Sequence, residues 1–241
     1  MESDWAVGQV LEALDKHGLT ENTLVIFTAD NGHCRYTGIK PFLDAGHWPS
    51  QRFRGYKMDI WDGGHRIPFI ARWPGQVKTG ATCDQLICLT DLMATCADML
   101  GAKLPDNAGE DSMSFLSALR SSDGLRHEAV VHHSGNGRFA IRQGAWKLEL
   151  SPGSGELDMA SDALALQQGV PPLQLYDMAH DDVERRNVYD KHPEIVERLT
   201  KLLEKYVAEG RSTPGAPQKN DVSVDIWKKD AKTIRAKKKK A

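Results

Sequence analysis

The chain has 241 residues, of which 40% are hydrophobic and 27% charged, and its formal net charge is −2 at pH 7. These proportions are ordinary for a globular protein and exclude a largely disordered chain. The small net charge predicts no nucleic-acid partner, and no membrane span is predicted because no run approaches the roughly 18 apolar residues that such a helix needs.

The first predicted elements are a helix and a strand. Apolar residues recur at helical spacing from Trp5 to His17, and Gly18 follows as a helix stop. The segment TLVIFTADNG comes next, and its unbroken apolar run from Leu24 to Phe27 predicts a strand buried on both faces. A helix followed by a buried strand indicates a layered α/β core. The opening segment MESDWAVGQV has neither the basic nor the apolar region of a signal peptide, so no leader is expected in it.

A long loop and two further elements follow. Residues 32–54 are rich in glycine, proline, aromatic and charged residues without a period, which predicts a surface loop. A second short apolar run extends from Ile67 to Ala71. A helix is predicted to begin at Thr90 or Asp91 and to continue through Leu100.

After Pro105 the pattern changes to that of a small antiparallel sheet. The short strand-like runs are EAVVHHS, RFAIRQ, AWKLELS and LQLYDM. A helix from about Pro193 to Ala208 follows, and we expect it to pack on the sheet. The predicted divisions are therefore an α/β part over 1–105, a linker with a small sheet-and-helix subdomain over 106–210, and a solvated or disordered Lys-rich tail over 211–241.

Two segments carry candidate functional residues. Asp30-Asn31-Gly32 directly follows the predicted strand, and ligands of open α/β sheets bind at the carboxyl ends of strands. A carboxylate beside an amide carbonyl offers the hard oxygen ligands that Ca²⁺ or Mg²⁺ requires. The same residues also suit a plain Asp-Asn-Gly turn.

The second segment is RGYKMDIWDGGHRIP, residues 54–68. Its Lys57 is a point charge suited to an anion such as phosphate or sulfate, and Gly63-Gly64 allows close approach of the backbone. The alternative is a polar loop with an exposed lysine and a tight turn.

Taken together, TLVIFTADNG and KMDIWDGGHRIPFIARWPG resemble the type I sulfatases, the arylsulfatase A-like branch of the alkaline phosphatase superfamily. The resemblance continues through TDLMATCADMLGAKLP and LYDMAHDDVERRNVYDKHPEIVERL, and it covers roughly residues 4–214. It implies part of an alkaline-phosphatase-like layered α/β core, followed by a small α+β domain with an antiparallel sheet and a packed C-terminal helix.

The resemblance also implies roles for individual residues. Asp30 and Asn31 would ligate a divalent cation, usually Ca²⁺ with Mg²⁺ as the alternative, and Lys57 would be catalytic through its contact with the substrate sulfate. His65 and Arg66 occupy motif positions close to this site, and each is either a substrate contact or a structural partner. The implied substrate is the sulfate ester of a small molecule or of a glycan. Loop aromatics could stack on its ring or pack the loop onto the core; they are Tyr36, Phe42, Trp48 and Phe53.

One part of the family pattern is missing from the sequence. Type I sulfatases carry their formylglycine nucleophile in a C/S-x-P-S/A-x-R motif, and none of the four cysteines is followed by proline two residues later. Ser212-Thr213-Pro214 begins the pattern but lacks the arginine. The resemblance also implies an N-terminal pair of aspartates as further metal ligands, and this pair is absent as well. Asp181-Asp182 is better explained by turn or cap chemistry. We therefore expect the C-terminal part of a sulfatase, which a separately encoded N-terminal half could complete.

Two other functions fit the same residues. The chain could be a non-catalytic fragment or subunit that binds a divalent cation and a sulfated ligand. It could also belong to a hydrolase of phosphate or phosphonate esters in the same superfamily, although Asp30-Asn31 and Lys57 favour a sulfatase.

Overall fold

The computed structural model describes residues 2–121, 127–155 and 159–228. The helices are α1 (Glu2–Lys16), α2 (Lys40–Asp44), α3 (Asp62–His65), α4 (Asp91–Met99), α5 (Leu116–Arg120), α6 (Met159–Gln167) and α7 (Pro193–Glu209). The strands are β1 (Val25–Thr28), β2 (Phe69–Arg72), β3 (Val130–His133), β4 (Phe139–Gln143), β5 (Trp146–Glu149) and β6 (Gln174–Asp177).

The chain folds into two compact units. The first comprises Met1–Ala29, Pro68–Lys103 and Ser112–Arg126, and the second comprises Asp30–Ile67, Leu104–Asp111 and His127–Ala241. This division does not follow the predicted boundary after residue 105, because residues 30–67 belong to the same unit as the C-terminal sheet. The domain boundaries stay a proposal, since compactness by itself does not identify a folding domain.

The first unit holds α1 and a two-stranded ribbon. β1 pairs antiparallel with β2, and Phe27 lies opposite Ile70. The prediction of a strand buried on both faces is wrong for the described residues, since Phe27 is 37% and Ile70 61% exposed. The physical reason is that this ribbon has two strands, so one of its faces stays open to solvent. α1 likewise buries none of its residues.

The second unit contains a four-stranded antiparallel sheet in the order β3-β4-β5-β6. Each strand pairs with the next along the chain, as the alternating runs after Pro105 predicted. On one face Ile141, Leu148 and Leu175 form a fully buried core with Leu199 and Leu203 of α7. The predicted sheet with a packed C-terminal helix is confirmed.

The other face of the same sheet is polar and equally buried. Register places Arg142 and Tyr176 on either side of Lys147, and Gln174 opposite Glu149. Lys147 and Glu149 are fully buried. A strand pattern of alternating apolar and polar residues usually has its polar side in water. Here that side is buried, because it contacts the segment that carries Ile60 and Asp62.

The segment after α7 is ordered onto the apolar core. Gly210 ends α7 in the left-handed conformation, and the Arg211 guanidinium then donates to the carbonyl oxygens of Asp106, Thr213, Pro214 and Ala216. Ile226 joins the core with 5% exposure. The predicted solvated tail is therefore corrected at Arg211 and at Ile226, whose side chains are buried, whereas most residues from 214 to 223 are exposed as predicted. The Lys-rich residues 229–241 lie outside the described part of the chain.

Replacing Ile226 with alanine tests this packing. Truncating a buried isoleucine removes apolar contacts and leaves a cavity, so we expect a loss of about 2–4 kcal/mol in the free energy of unfolding. The matched control is Val222→Ala, because Val222 is 72% exposed and its truncation should cost less than about 0.5 kcal/mol. Both values follow from urea unfolding, and equal effects would contradict the ordered packing of this segment.

No helix in the described part of the chain is long and apolar enough to cross a membrane.

Candidate functional site

Two backbone hydrogen bonds join the two segments that sequence analysis singled out. The Gly32 N–H donates to the Gly64 carbonyl oxygen at 3.0 Å, and the Lys57 N–H donates to the His33 carbonyl oxygen at 2.9 Å. These bonds hold the chain that follows Asp30 and Asn31 against the segment that carries Lys57. The two candidate segments are thus neighbours in space, although about two dozen residues separate them in sequence.

Close backbone packing makes this arrangement dependent on glycine. A Cβ atom at Gly32 would lie within 3.0 Å of the Gly63 carbonyl oxygen, and one at Gly63 would lie equally close to the carbonyl oxygens of Arg54 and Gly55. A Cβ at Gly64 would meet the Tyr56 and Asp59 carbonyl oxygens. Backbone atoms cannot move aside as a flexible side chain can. Residues 54–64 therefore fold into a tight loop, the GG loop, with α3 at its end.

The candidate metal ligands and the candidate sulfate ligand are accessible in this arrangement. Asp30 is exposed, whereas Asn31 and Lys57 are half-buried. A carboxylate and an amide carbonyl on adjacent residues form an oxygen donor set, which fits Ca²⁺ or Mg²⁺ and not a soft metal. The ammonium of Lys57, on the neighbouring segment, has the charge that an anion in contact with such a cation would need.

A buried aspartate within the GG loop fixes the backbone on either side of Lys57. Asp59 is 2% exposed, and its carboxylate accepts from the Tyr56 N–H at 2.9 Å and from the Arg35 guanidinium at 3.1 Å. Arg35 lies in the long loop, so this ion pair links that loop to the GG loop. Neither residue stands out in the sequence, since an Arg and an Asp in polar loops carry no distinctive signal.

Met58 holds an unusual backbone conformation directly after Lys57. Its φ is +81°, in the left-handed region that residues with a side chain rarely adopt. The Gly135 N–H donates to the Met58 carbonyl oxygen at 2.8 Å, and the Ile60 N–H donates to the Ser154 carbonyl oxygen at 2.7 Å. Such a conformation costs about 1–3 kcal/mol and persists where its surroundings hold it in place. Here the surroundings are the segments that flank β3, β4 and β5.

The polar face of the sheet meets the GG loop through a buried charge network. The Lys147 ammonium donates to the Ile60 carbonyl oxygen at 3.2 Å, to the Asp62 carboxylate at 2.9 Å and to the Glu184 carboxylate at 2.5 Å. Glu149 lies 3.2 Å from the same ammonium. The other oxygen of the Glu184 carboxylate accepts from the Asp62 N–H at 2.6 Å. Lys147 is thus bound to two residues of the GG loop and to two acids outside it.

Burial and charge act in opposite directions on these groups. Burial alone would lower the pKa of Lys147, but the carboxylates of Glu149, Asp62 and Glu184 outweigh it and raise this pKa. Burial would raise the pKa of Asp62, but Lys147 outweighs it and lowers this pKa. Burial raises the pKa of Glu149 well above its usual value, and the Glu184 carboxylate adds to the effect. Lys147 and Asp62 are therefore charged at neutral pH.

His65 lies beside this network. Its ring centroid is 4.3 Å from that of His132, whose Nε2 is hydrogen bonded to the Ile60 carbonyl oxygen at 3.0 Å. Burial, followed by the Lys147 ammonium, lowers the pKa of His65 to about 4. The imidazole is therefore neutral at pH 7. A neutral ring within the loop's packing supports the structural role for His65, and a contact with substrate stays a prediction.

The low pKa of His65 predicts a loss of stability in mild acid. Its value in the folded chain is about 4 against 6.5 ordinarily, so between these values the unfolded chain binds a proton that the folded chain does not. The free energy of unfolding should therefore fall as the pH drops from 6.5 to 4, by about 2–3 kcal/mol from this residue. His65→Gln should show a smaller fall in urea unfolding over this pH range, and an unchanged fall would contradict the assignment.

Comparison with known proteins identifies the family. Residues 1–102 match the family model described as Sulfatase. N-acetylgalactosamine-6-O-sulfatase of Bacteroides thetaiotaomicron is 35% identical over 85% of this chain and 40% of its own length, and steryl-sulfatase of Rattus norvegicus is 30% identical over 94% and 42%. A solved structure from work on the metabolism of multiple glycosaminoglycans by Bacteroides thetaiotaomicron has a TM-score of 0.72 at 34% identity, covering 84% of this chain and 42% of that one. The chain belongs to the sulfatase family.

The fold class expected for a sulfatase is confirmed by these neighbours, which share the mixed α/β architecture with its antiparallel sheet and C-terminal helix. The named relatives are sulfuric ester hydrolases. The chain spans about two-fifths of the length of the relatives it matches.

Other candidates in this sulfatase chain divide into structural and accessible groups. Arg66 lies 3.7 Å from Asp62 and stacks over Phe53 at 4.3 Å from the ring centroid, which supports its structural role. Asp181 accepts from the N–H groups of residues 185 and 186, so it has the predicted turn role, and Asp182 forms an ion pair with Arg52. Three aromatic residues of the long loop are exposed; they are Tyr36, Phe42 and Trp48.

Proposed function

We propose that this chain supplies part of the active site of a metal-dependent sulfatase that hydrolyses sulfate esters of a glycan. The observation that carries the proposal is the pair of backbone hydrogen bonds between the chain after Asp30-Asn31 and the GG loop with Lys57, in a member of the sulfatase family. They support a site in which oxygen ligands and an ammonium face one anion.

The residues have complementary chemical tasks in this proposal. Asp30 and Asn31 would hold a divalent cation, usually Ca²⁺, which when bound polarises an oxygen of the sulfate group. Lys57 binds a second sulfate oxygen through its ammonium and balances the charge that develops as the S–O bond to the alcohol breaks. The net reaction consumes one water and releases the alcohol and inorganic sulfate.

We propose that the nucleophile and the remaining metal ligands come from residues outside this chain. The absence of a C/S-x-P-S/A-x-R motif from the sequence supports this assignment. The exposed faces of α1 and of the β1–β2 ribbon, with Phe27 and Ile70, support a partner that covers them. The proposed partner is the N-terminal part of a sulfatase.

Calorimetric titration of the 241-residue chain with CaCl₂, and then with sodium sulfate, tests the half-site. Asp30→Ala should abolish calcium binding, because one carboxylate is the only formal charge in the ligand pair. Lys57→Met should leave calcium binding intact and weaken sulfate binding by about tenfold or more. Asp44→Ala and Lys40→Met are the matched controls, since these residues are exposed, lie at the two ends of α2 and pair with each other.

Several outcomes would contradict the proposal. They are the absence of calcium binding by the unmodified chain, unchanged calcium binding by Asp30→Ala, and unchanged sulfate binding by Lys57→Met. Tighter binding of inorganic phosphate than of sulfate would favour the phosphate-ester alternative instead.

A generic aryl sulfate tests where the nucleophile lies. We expect no turnover by the purified chain alone, and measurable turnover after co-expression with the N-terminal part of the 35% identical Bacteroides relative. Turnover by the chain alone would place a nucleophile within it and refute the assignment. Binding of both ions with no turnover by the co-expressed pair would favour a non-catalytic, ligand-binding role.

The exposed aromatics of the long loop support a sulfated glycan as the substrate. Tyr36 and Trp48 are 67% and 62% exposed, and apolar ring faces of this kind stack on sugar rings. One relative is named for a sulfated N-acetylgalactosamine, and another structure of this fold holds D-glucosamine-2-N,6-O-disulfate. We expect Trp48→Ala to weaken binding of a sulfated N-acetylhexosamine and to leave binding of inorganic sulfate unchanged. Equal effects on both ligands would argue against stacking.

A further inference from the structure

We infer that Lys147 is a positioning residue. From the polar face of the C-terminal sheet it fixes the GG loop, and through that loop it holds Lys57 in place. The inference deepens the proposed function and rests on it for the role of Lys57. Lys147 lies 90 positions after Lys57 in the sequence, on β5, and is fully buried.

The donor count of Lys147 supports this role. An ammonium has three N–H donors, and the partners of this one are the Ile60 carbonyl oxygen, the Asp62 carboxylate and the Glu184 carboxylate. Two of the three partners belong to the GG loop, three and five residues after Lys57. The third, Glu184, also accepts from the Asp62 N–H. Lys147 therefore fixes the main chain at Ile60 and the side chain at Asp62 relative to the sheet.

The strained backbone at Met58 explains why the loop needs an external anchor. A residue with φ of +81° tends to relax when its surroundings release it. Two backbone hydrogen bonds hold the neighbouring chain: the Gly135 N–H donates to the Met58 carbonyl oxygen, and the Ile60 N–H donates to the Ser154 carbonyl oxygen. The Ile60 carbonyl oxygen is hydrogen bonded to His132 Nε2, and Lys147 adds a charged contact to the same oxygen. If that contact is removed, relaxation at Met58 displaces the adjoining Lys57.

The first test compares Lys147→Met with Lys201→Met in the full 241-residue chain. Methionine keeps most of the lysine side-chain length but donates no hydrogen bond. Lys201 is the matched control, because it is exposed on α7 and pairs with Glu197 four residues away. The readouts are the dissociation constant for inorganic sulfate and the amide resonances of residues 57–60. We expect Lys147→Met to weaken sulfate binding by about tenfold and to shift these resonances, with those of α7 unchanged.

Asp62→Asn keeps the inference testable if Lys147→Met does not fold. It preserves side-chain volume and removes the charge that ties Lys147 to the GG loop, while Glu184 continues to neutralise the ammonium. We expect sulfate binding to weaken by about threefold or more, with shifts at the same four amides.

Each outcome decides between positioning and simple stability. A folded Lys147→Met chain that binds sulfate within about twofold of the unmodified chain, with unchanged resonances at 57–60, would overturn the inference. Unchanged sulfate binding and resonances in Asp62→Asn would overturn it as well. If the unmodified chain binds neither calcium nor sulfate, the proposed function fails, and the resonances of residues 57–60 alone then decide whether Lys147 positions the loop.

Discussion

Gly32→Ala is expected to lower the free energy of unfolding by about 3 kcal/mol and to abolish calcium binding. The added Cβ would lie within 3.0 Å of the Gly63 carbonyl oxygen, and all of its near neighbours are backbone atoms of Gly63 and Gly64. Relief of this overlap requires the two segments to separate, which breaks the hydrogen bond from the Gly32 N–H to the Gly64 carbonyl oxygen. The chain after Asp30 and Asn31 would then lose its anchor to the GG loop.

Gly8→Ala is the matched control for this substitution. Gly8 lies within α1, and a Cβ there would meet no atom within 4 Å. Alanine is favoured over glycine in a helix by about 0.5–1 kcal/mol, so this variant should gain stability. Urea unfolding and calcium titration of both variants measure the two effects. A Gly32→Ala chain as stable as the unmodified one would show that the close approach of the two segments is not required.

Glu184→Ala is expected to lower the free energy of unfolding by about 3–5 kcal/mol, because it removes one partner of a buried ion pair. The side chain is fully buried, and its two oxygens bind the Lys147 ammonium and the Asp62 N–H. The Asp62 N–H would lose its acceptor, and the Lys147 ammonium would lose one of its carboxylate partners while keeping the Ile60 carbonyl oxygen and Asp62. Residue 184 has a φ of +56°, which is strained for glutamate and alanine alike. The difference in stability between the unmodified chain and Glu184→Ala therefore reports the loss of the carboxylate.

Glu184→Gln should cost less than Glu184→Ala for an electrostatic reason. The Glu184 charge is one cause of the raised pKa of Glu149, so its removal favours the charged form of Glu149, whose carboxylate lies 3.2 Å from the Lys147 ammonium. The amide oxygen can still accept from the Asp62 N–H. Glu197→Ala is the control, since Glu197 is an exposed acid paired with Lys201, and its unfolding midpoint should stay close to that of the unmodified chain. Equal losses for Glu184→Ala and Glu197→Ala in urea unfolding would contradict the buried network.

Local patterns in the sequence predicted much of the fold. The strands after Pro105 and the helix α7 follow from alternation and from helical spacing, because these signals come from residues close together in the chain. The adjacency of Asp30-Asn31 and Lys57 was predicted through the family resemblance, not through any local pattern. Their individual roles stay predictions.

Local patterns could not predict that the polar face of the sheet is buried. The run AWKLELS alternates in the same way whether Lys147 and Glu149 face water or a covering loop. What distinguishes the two cases is the presence of Ile60 and Asp62 above the strand, and these residues are far away in sequence. The same limit applies to Arg211, whose four carbonyl partners include Asp106. Composition assigned that segment to solvent because it contains no long apolar run.

The contact between Lys147 and the GG loop also couples ligand binding to the stability of distant strands. A ligand that binds only the folded loop, at a hundred times its dissociation constant, stabilises the folded state by about 2.7 kcal/mol. Because Ile60 and Asp62 are bonded to β5, the loop and the sheet should open as one cooperative unit. Amide hydrogen exchange of Ile141 and Leu148, whose side chains lie in the apolar core on the other face of the sheet, should therefore slow when the loop is occupied. Exchange rates in the C-terminal sheet would then report ligand binding at Lys57.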